Sequence, residues 1–236
     1  NIRNIKNKEN EELFINLNLE KSFELFNKDK KSSYITENNY EFIKEVNFMN
    51  NFSKLNNILK PYLCLKERYD LMTGSNNSYT PLRYNLSNRN FYYISKGSIE
   101  VKLVPPKYSI YLNEIKDYEN FEFRSSIDIW NTEEKYNTIL EKIKQLNFIL
   151  SENNILYIPQ YWWYSFKYTD STIVYNSKYK TVINEISNLK HSILYFLQNQ
   201  NIEKKEVNIF KSNKINDNSE PNKNKNITQK DRKSVV

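Results

Sequence analysis

Glycine is almost missing: the 236-residue chain has two. A loop that cradles phosphates needs several residues without side chains, so a P-loop or dinucleotide-binding fingerprint is excluded. Gly74 and Gly97 become informative, because glycine is kept where the backbone needs a left-handed turn or a close approach. One cysteine, Cys64, excludes an internal disulfide framework and a zinc site built on several thiolates, and it fits a reducing compartment. One histidine, His191, leaves no histidine cluster for a metal. Apolar runs of about 18 residues are also lacking, which excludes an ordinary membrane-spanning helix. The opening Asn1-Ile-Arg-Asn4 has no apolar core of a signal peptide, so the expected location is intracellular and soluble. The chain does not begin with Met, and residues upstream of Asn1 are expected.

Aromatic residues are abundant, at 15% of the chain, and offset a modest 39% hydrophobic content through the area each ring buries. The formal charge is +7. From Glu203 onward nine basic and five acidic residues supply +4 of it, which leaves +3 on the rest. A body so nearly balanced does not point to a domain that reads nucleic-acid sequence. Residues 203–236 are polar, charged and poor in aromatics, and are expected to be a disordered basic tail.

The first 62 residues are expected to form a flank of helices and a strand packed on a larger body. Leu13, Ile15, Leu17 and Leu19 alternate with polar neighbours and predict a strand, with a helix over Glu20–Phe26. Thr36 and Glu37 resemble a helix start, after which Phe42, Val46, Met49 and Phe52 recur at helical spacing. A second helix over Ser53–Leu59 is stopped by Pro61. From residue 63 to 180 the texture changes to short aromatic and β-branched segments between turns. They predict strands at Tyr69–Thr73, Asn90–Ser95, Ile99–Val104, Tyr108–Leu112, Asn147–Leu150, Ile155–Ile158, Ser165–Tyr168 and Thr172–Asn176. One helix interrupts them, capped by Asn131 or Thr132, with Tyr136, Ile139, Leu140 and Ile143 on one stripe. A last helix over 181–202 places Val182, Ile186, Leu189, Ile193 and Phe196 on one face, either against the body or as a homodimer contact.

The chain is organised around Ile155-Leu-Tyr-Ile-Pro-Gln-Tyr-Trp-Trp-Tyr164. Its first four residues suit a strand buried on both faces, and Pro159 ends the ladder because it has no N–H to donate. A corner follows, and two adjacent tryptophans fix where Tyr164 points.

An earlier stretch belongs with it: Thr80-Pro-Leu-Arg-Tyr-Asn85, then Asn90-Phe-Tyr-Tyr-Ile-Ser-Lys-Gly97, then Leu103-Val-Pro-Pro106. Over about residues 69 to 180 the two motifs together resemble the JmjC or cupin-like family of iron(II) and 2-oxoglutarate dependent oxygenases, closest to its asparaginyl hydroxylase branch. The resemblance implies a mainly β fold, a double-stranded β-helix (jelly-roll) with flanking α-helices. It also implies a facial triad of two histidines and a carboxylate. Matched position by position, Arg83 stands for the first histidine, Asn85 for the carboxylate and Tyr164 for the distal histidine. A guanidinium has no lone pair, an amide oxygen is a weak neutral donor and a phenol stays protonated near neutral pH. Ile99 stands where the branch has a lysine for the distal carboxylate of 2-oxoglutarate. Thr80, Asn90, Trp163 and Asn176 are the other pocket positions the match implies.

No catalytic residue, metal or cofactor is therefore expected. The resemblance implies a degenerate oxygenase site in a binding or scaffold module, a pseudoenzyme whose partner is a protein or a small anion. Two alternatives stand: an active hydroxylase or demethylase with an unusual metal shell, and an interaction protein working through the basic tail and last helix. Arg83 has two readings, as a fixed charge filling the metal position and bonded to Asn85 and the Tyr164 hydroxyl, or as an anion-binding group.

Overall fold

A computed structural model describes residues 2–5, 14–15, 17–47, 56–118, 121–169, 171–198 and 200. In chain order the flank gives strands β1 (Ile2–Asn4) and β2 (Phe14–Ile15), helix α1 (Leu19–Lys28), strand β3 (Tyr34–Thr36) and helix α2 (Tyr40–Glu45). The body gives β4 (Cys64–Gly74), β5 (Arg83–Tyr84), β6 (Arg89–Lys96) and β7 (Ser98–Val104), then β8 (Glu114–Asp117) and β9 (Glu122–Ser125). A short helix α3 (Asn137–Leu140) precedes β10 (Leu146–Ser151), β11 (Ile155–Pro159), β12 (Trp163–Tyr168), β13 (Ile173–Thr181) and helix α4 (Val182–Ser187). Residues 189–198 are helical as well.

The strands make two antiparallel sheets, ordered β11-β6-β13-β4-β3-β1-β2 and β10-β7-β12-β5-β9-β8. Strands β4 to β7 and β10 to β13 alternate between the sheets, the winding of a double-stranded β-helix, so the fold is the expected jelly-roll with flanking helices. The flank is woven into it, because β3 pairs with β4 through Ile35↔Gly74 and Thr36↔Thr73. Glycine's scarcity is met by asparagine: among the described residues, five of the ten non-glycine residues with positive φ are Asn38, Asn47, Asn77, Asn113 and Asn153. Asparagine tolerates that region better than other side chains that carry a Cβ.

Two cores lie on opposite faces of the second sheet. The first fills the space between the sheets and joins Met72, Tyr92, Ile94 and Val174 to Ile99, Val101, Tyr164, Phe166 and Tyr168. The second lies under residues 105–145 and contains Tyr84, Val104, Leu112, Phe123, Ile143 and Trp163. Alternation along β12 explains the split: Tyr164, Phe166 and Tyr168 face the first core, while Trp163 faces the second.

Several expectations are corrected. Tyr108–Leu112 is not a strand; Pro106 opens a 3-10 helix, Pro106–Tyr111, since proline presets φ but cannot donate to a ladder. The helix capped at Asn131 or Thr132 shrinks to a 3-10 turn, Glu134–Tyr136, followed by α3, although Ile143 is buried as its stripe implied. Thr36 ends a strand, and α2 begins at Tyr40. Val46 of the stripe drawn from there is exposed, and Met49 and Phe52 lie outside the described residues. Strand β11 is buried on one face alone, with Ile158 inside and Ile155 and Tyr157 exposed, because it is the edge of its sheet. The stripe Val182, Ile186, Leu189, Ile193 and Phe196 is not covered by the body; each is exposed. The tail 203–236 lies outside the described residues.

Candidate functional site

Register stacks the inner face of the first sheet in rows. Val174 pairs with Met72 and Ile94, Asn176 with Asp70 and Tyr92, and Lys178 with Arg68 and Asn90. Directly opposed residues share a face, so an apolar row is followed by a polar row and then by a rim row. Across from them Tyr164 pairs with Arg83 on β5. The positions at which the resemblance places iron ligands therefore converge at the polar end of the barrel interior.

Arg83 is held by a residue from the flank. Its Nη2 donates to Glu37 Oε2, and its Nη1 lies 3.6 Å from Glu122 Oε1. Arg3 Nη1 approaches the same two carboxylates, at 3.5 Å from Glu37 and 3.4 Å from Glu122. Two arginines and two glutamates thus balance one another. Burial pushes the Glu37 carboxyl up, but Arg83 and then Arg3 outweigh it and hold that carboxyl well below the usual range. Burial works against the Arg83 cation, and Glu37 restores it, raising its pKa above the ordinary value. The guanidinium lies 5.7 Å from the centre of the Tyr164 ring. It bonds neither the Asn85 amide nor the Tyr164 hydroxyl, which corrects the expected partners.

Asn85 and Tyr164 bond each other. Asn85 Nδ2 donates to the Tyr164 hydroxyl at 2.7 Å and to the Tyr92 hydroxyl at 3.2 Å. Burial pushes the Tyr164 phenol up, so it stays neutral. Asp70 anchors the flank: its two oxygens each accept a backbone N–H at 2.8 Å, from Asn38 and Asn39. That turn, with Asn38 at φ 61°, directly follows Glu37. Lys178 completes the rim, and burial depresses its ammonium to about 8 although Asp70 opposes the shift.

The remaining sequence-derived positions divide. Asn90 and Asn176 are fully buried, each donating through Nδ2 to backbone carbonyls, and each Oδ1 has no partner among the described residues. Ile99 is buried in the first core. Thr80 uses its hydroxyl to accept from Phe166 N at 3.0 Å. Trp163 faces the second core and donates from Nε1 to Ser109 Oγ at 2.7 Å. Lys102, on the strand of Ile99 but of opposite parity, reaches outward to the Ile129 carbonyl. His191 packs against Tyr118, with Nδ1 3.1 Å from its hydroxyl. Sequence reasoning missed Glu37, Asp70 and Lys178. Lys178 was legible, since it shares strand parity with Asn176, whereas no local signal marks Glu37.

These side chains do not fit iron(II). An ion-paired guanidinium, an amide that donates its N–H and a neutral phenol offer no facial triad. Among the described residues no group of three or more His, Cys, Asp or Glu side chains is placed to hold a metal. The buried aliphatic Ile99 supplies no cation for a dicarboxylate.

Residues 2–185 match the model of the cupin-like domain, and the chain belongs to that family. A solved structure titled "The structure of KdgF from Halomonas sp." is similar at 9% identity and TM-score 0.29, covering 48% of this chain and 68% of that one, a likeness too slight to argue from. No curated protein matches the chain.

Proposed function

We propose that the chain is a non-catalytic binding or scaffold module, a degenerate relative of the JmjC and asparaginyl hydroxylase type within the cupin-like family. The observation that carries this reading is the ion pair of Arg83 with Glu37: a charge-neutral pair occupies the place where the resemblance puts an iron ligand. The pair also speaks against Arg83 as a free anion receptor, because its charge is already answered. The partner is then a protein, or a small anion met at the rim by Lys178 and Arg68, and specific nucleic-acid binding is not part of the reading. Among the described residues no helix is long and apolar enough to cross a membrane.

The test is metal content and turnover of the full chain. After reconstitution with iron(II), 2-oxoglutarate and ascorbate, the purified protein is expected to hold iron far below one equivalent and to release no succinate above a no-enzyme control. Stoichiometric iron with succinate release would instead establish an active oxygenase with an unusual shell. The variant Tyr164→His is expected to bind no iron, since Arg83 and Asn85 still supply no partner ligands.

A further inference from the structure

At the end of the barrel away from Arg83, the C-terminal end of α1 with the loop after it and the loop after β4 enclose a cleft of about 470 Å3. That volume falls in the range of small-molecule sites, about 300–1,000 Å3. Asn27, Lys30 and Ser32 line it from the first side, Asn76 and Asn77 from the second, and Phe26 adds an apolar surface. Backbone hydrogen bonds fix both walls. Asp29, which also lines the cleft, accepts the N–H groups of Lys31, Ser33 and Tyr34 at 2.9, 2.7 and 3.3 Å. Ser75 N donates to the Tyr34 carbonyl at 2.9 Å and ties one wall to the other, while Asn77 N donates to the Tyr168 carbonyl at 2.8 Å. The side chains of Asn27, Lys30, Ser32, Asn76 and Asn77, by contrast, make no hydrogen bond or ion pair with any described residue. Rigid walls therefore carry donors and acceptors that the fold itself does not use.

The geometry points to a binding site in this cleft for a short neutral saccharide. Charge excludes the simpler occupants, because Lys30 and Asp29 cancel and leave no net field to select an anion or a cation. The lining is also too polar for a fatty chain. What it offers in excess is the amide group: Asn27, Asn76 and Asn77 each carry two N–H donors and a carbonyl acceptor, and the Ser32 hydroxyl both donates and accepts. A hydroxyl of a sugar ring likewise needs a donor and an acceptor, so neighbouring hydroxyls match the fork of one amide. The apolar C–H face of the ring can lie against Phe26, which Phe23 braces edge-on at 6.4 Å. Since the walls are already held, binding has to order side-chain rotamers alone, which lowers its entropic cost. The apolar row of Met72, Ile94 and Val174 lies between this cleft and the polar end of the barrel, so the site does not depend on what Arg83 does.

Amide NMR spectra of the nitrogen-15 labelled full chain, titrated separately with maltose, cellobiose, diacetylchitobiose and sucrose, test this. At least one of the four is expected to shift the signals of Asn27, Ser32, Asn76 and Asn77 in a saturable way, with a dissociation constant in the millimolar range or below. Asn27→Ala and Asn76→Ala remove no hydrogen bond within the protein, so both should keep the wild-type spectrum elsewhere, and each is expected to bind the same disaccharide about tenfold more weakly. Glycerol, sodium phosphate and calcium chloride serve as controls and are expected to leave these signals in place. The proposal is overturned if no disaccharide shifts them, if glycerol shifts them as much, if only phosphate or calcium does, or if the shifts fall at Asn90 and Lys178 instead. Undiminished binding by both alanine variants overturns it as well.

Discussion

Arg83 and Glu37 each keep the other soluble inside the barrel, and the energetic consequence of removing one is larger than the net worth of the pair. Breaking a buried pair by deleting one partner strands the other charge and typically costs about 3–5 kcal/mol. Arg83→Met is expected to lose stability of that order in urea unfolding, although Arg3 still approaches Glu37. The double variant Arg83→Met/Glu37→Gln is expected to recover a large part of the loss, because no charge is then stranded. The sign of the pH effect follows from Glu37. Its folded pKa lies below the unfolded value, so its stabilisation is present above the ordinary glutamate range and is lost as pH falls through the folded value. In Arg83→Met the carboxylate loses its main counter-charge and protonation relieves it, so the stability deficit of the variant against the wild type should narrow as pH falls below the ordinary glutamate range, as read by urea unfolding at each pH. Tyr164→Phe removes the nearer of the two acceptors of the Asn85 amide and leaves the Tyr92 hydroxyl; about 0.5–1.5 kcal/mol is the expected cost, measured in the same urea series. The motif made Arg83, Asn85 and Tyr164 legible in the sequence because their spacing along two strands is local. Glu37 was not legible: it lies 46 residues before Arg83, beside a threonine, where it reads as a helix start.

Strand β13 shows how one element carries both structure and the polar rim. Its alternation sends Val174 to the apolar core and Asn176 and Lys178 to the polar end, and register with β4 and β6 fixes each neighbour. Lys178 titrates lower in the fold than in the unfolded chain, at about 8 against an ordinary 10.5. Between those values the unfolded chain binds more protons, so stability rises with pH there. The melting temperature of the wild type is expected to climb from pH 8 toward 9.5, and Lys178→Met to flatten that rise. Gly74, at the end of β4, is required by space. A Cβ there would lie 2.7 Å from the Tyr168 ring and 2.5 Å from Ser78 Oγ, so Gly74→Ala should cost about 1–3 kcal/mol through overpacking. Most barrel strands could be read from their aromatic and β-branched runs. The segment after Pro105 could not, since Tyr108, Ile110 and Leu112 alternate like a strand while the proline pair selects a tight helical turn. The fate of the last helix's stripe was equally hidden, because Asn184 and Asn188, the amides that dock its other face, look like solvent-facing residues.

At the scale of the whole molecule the second sheet is a shared wall, with β12 contributing to both cores through successive residues. Trp162 packs on the first core, Trp163 fills the second and Tyr164 returns to the first. Neither core can loosen without moving this strand, so the described body should unfold as one cooperative unit. Tryptophan emission and far-UV ellipticity are expected to give the same urea midpoint; separated transitions would show that residues 105–145 unfold apart from the barrel. The family's fold was legible from two short motifs because they border this wall. The flank's role was not, since its strands join the sheet across contacts far apart in sequence. The ion pair between flank and barrel also has a hereditary side. Neither Arg83 nor Glu37 can be exchanged first without stranding its partner, so a lineage that has acquired both is held on its side of a valley. Descendants of this sequence should keep the two residues or lose them together.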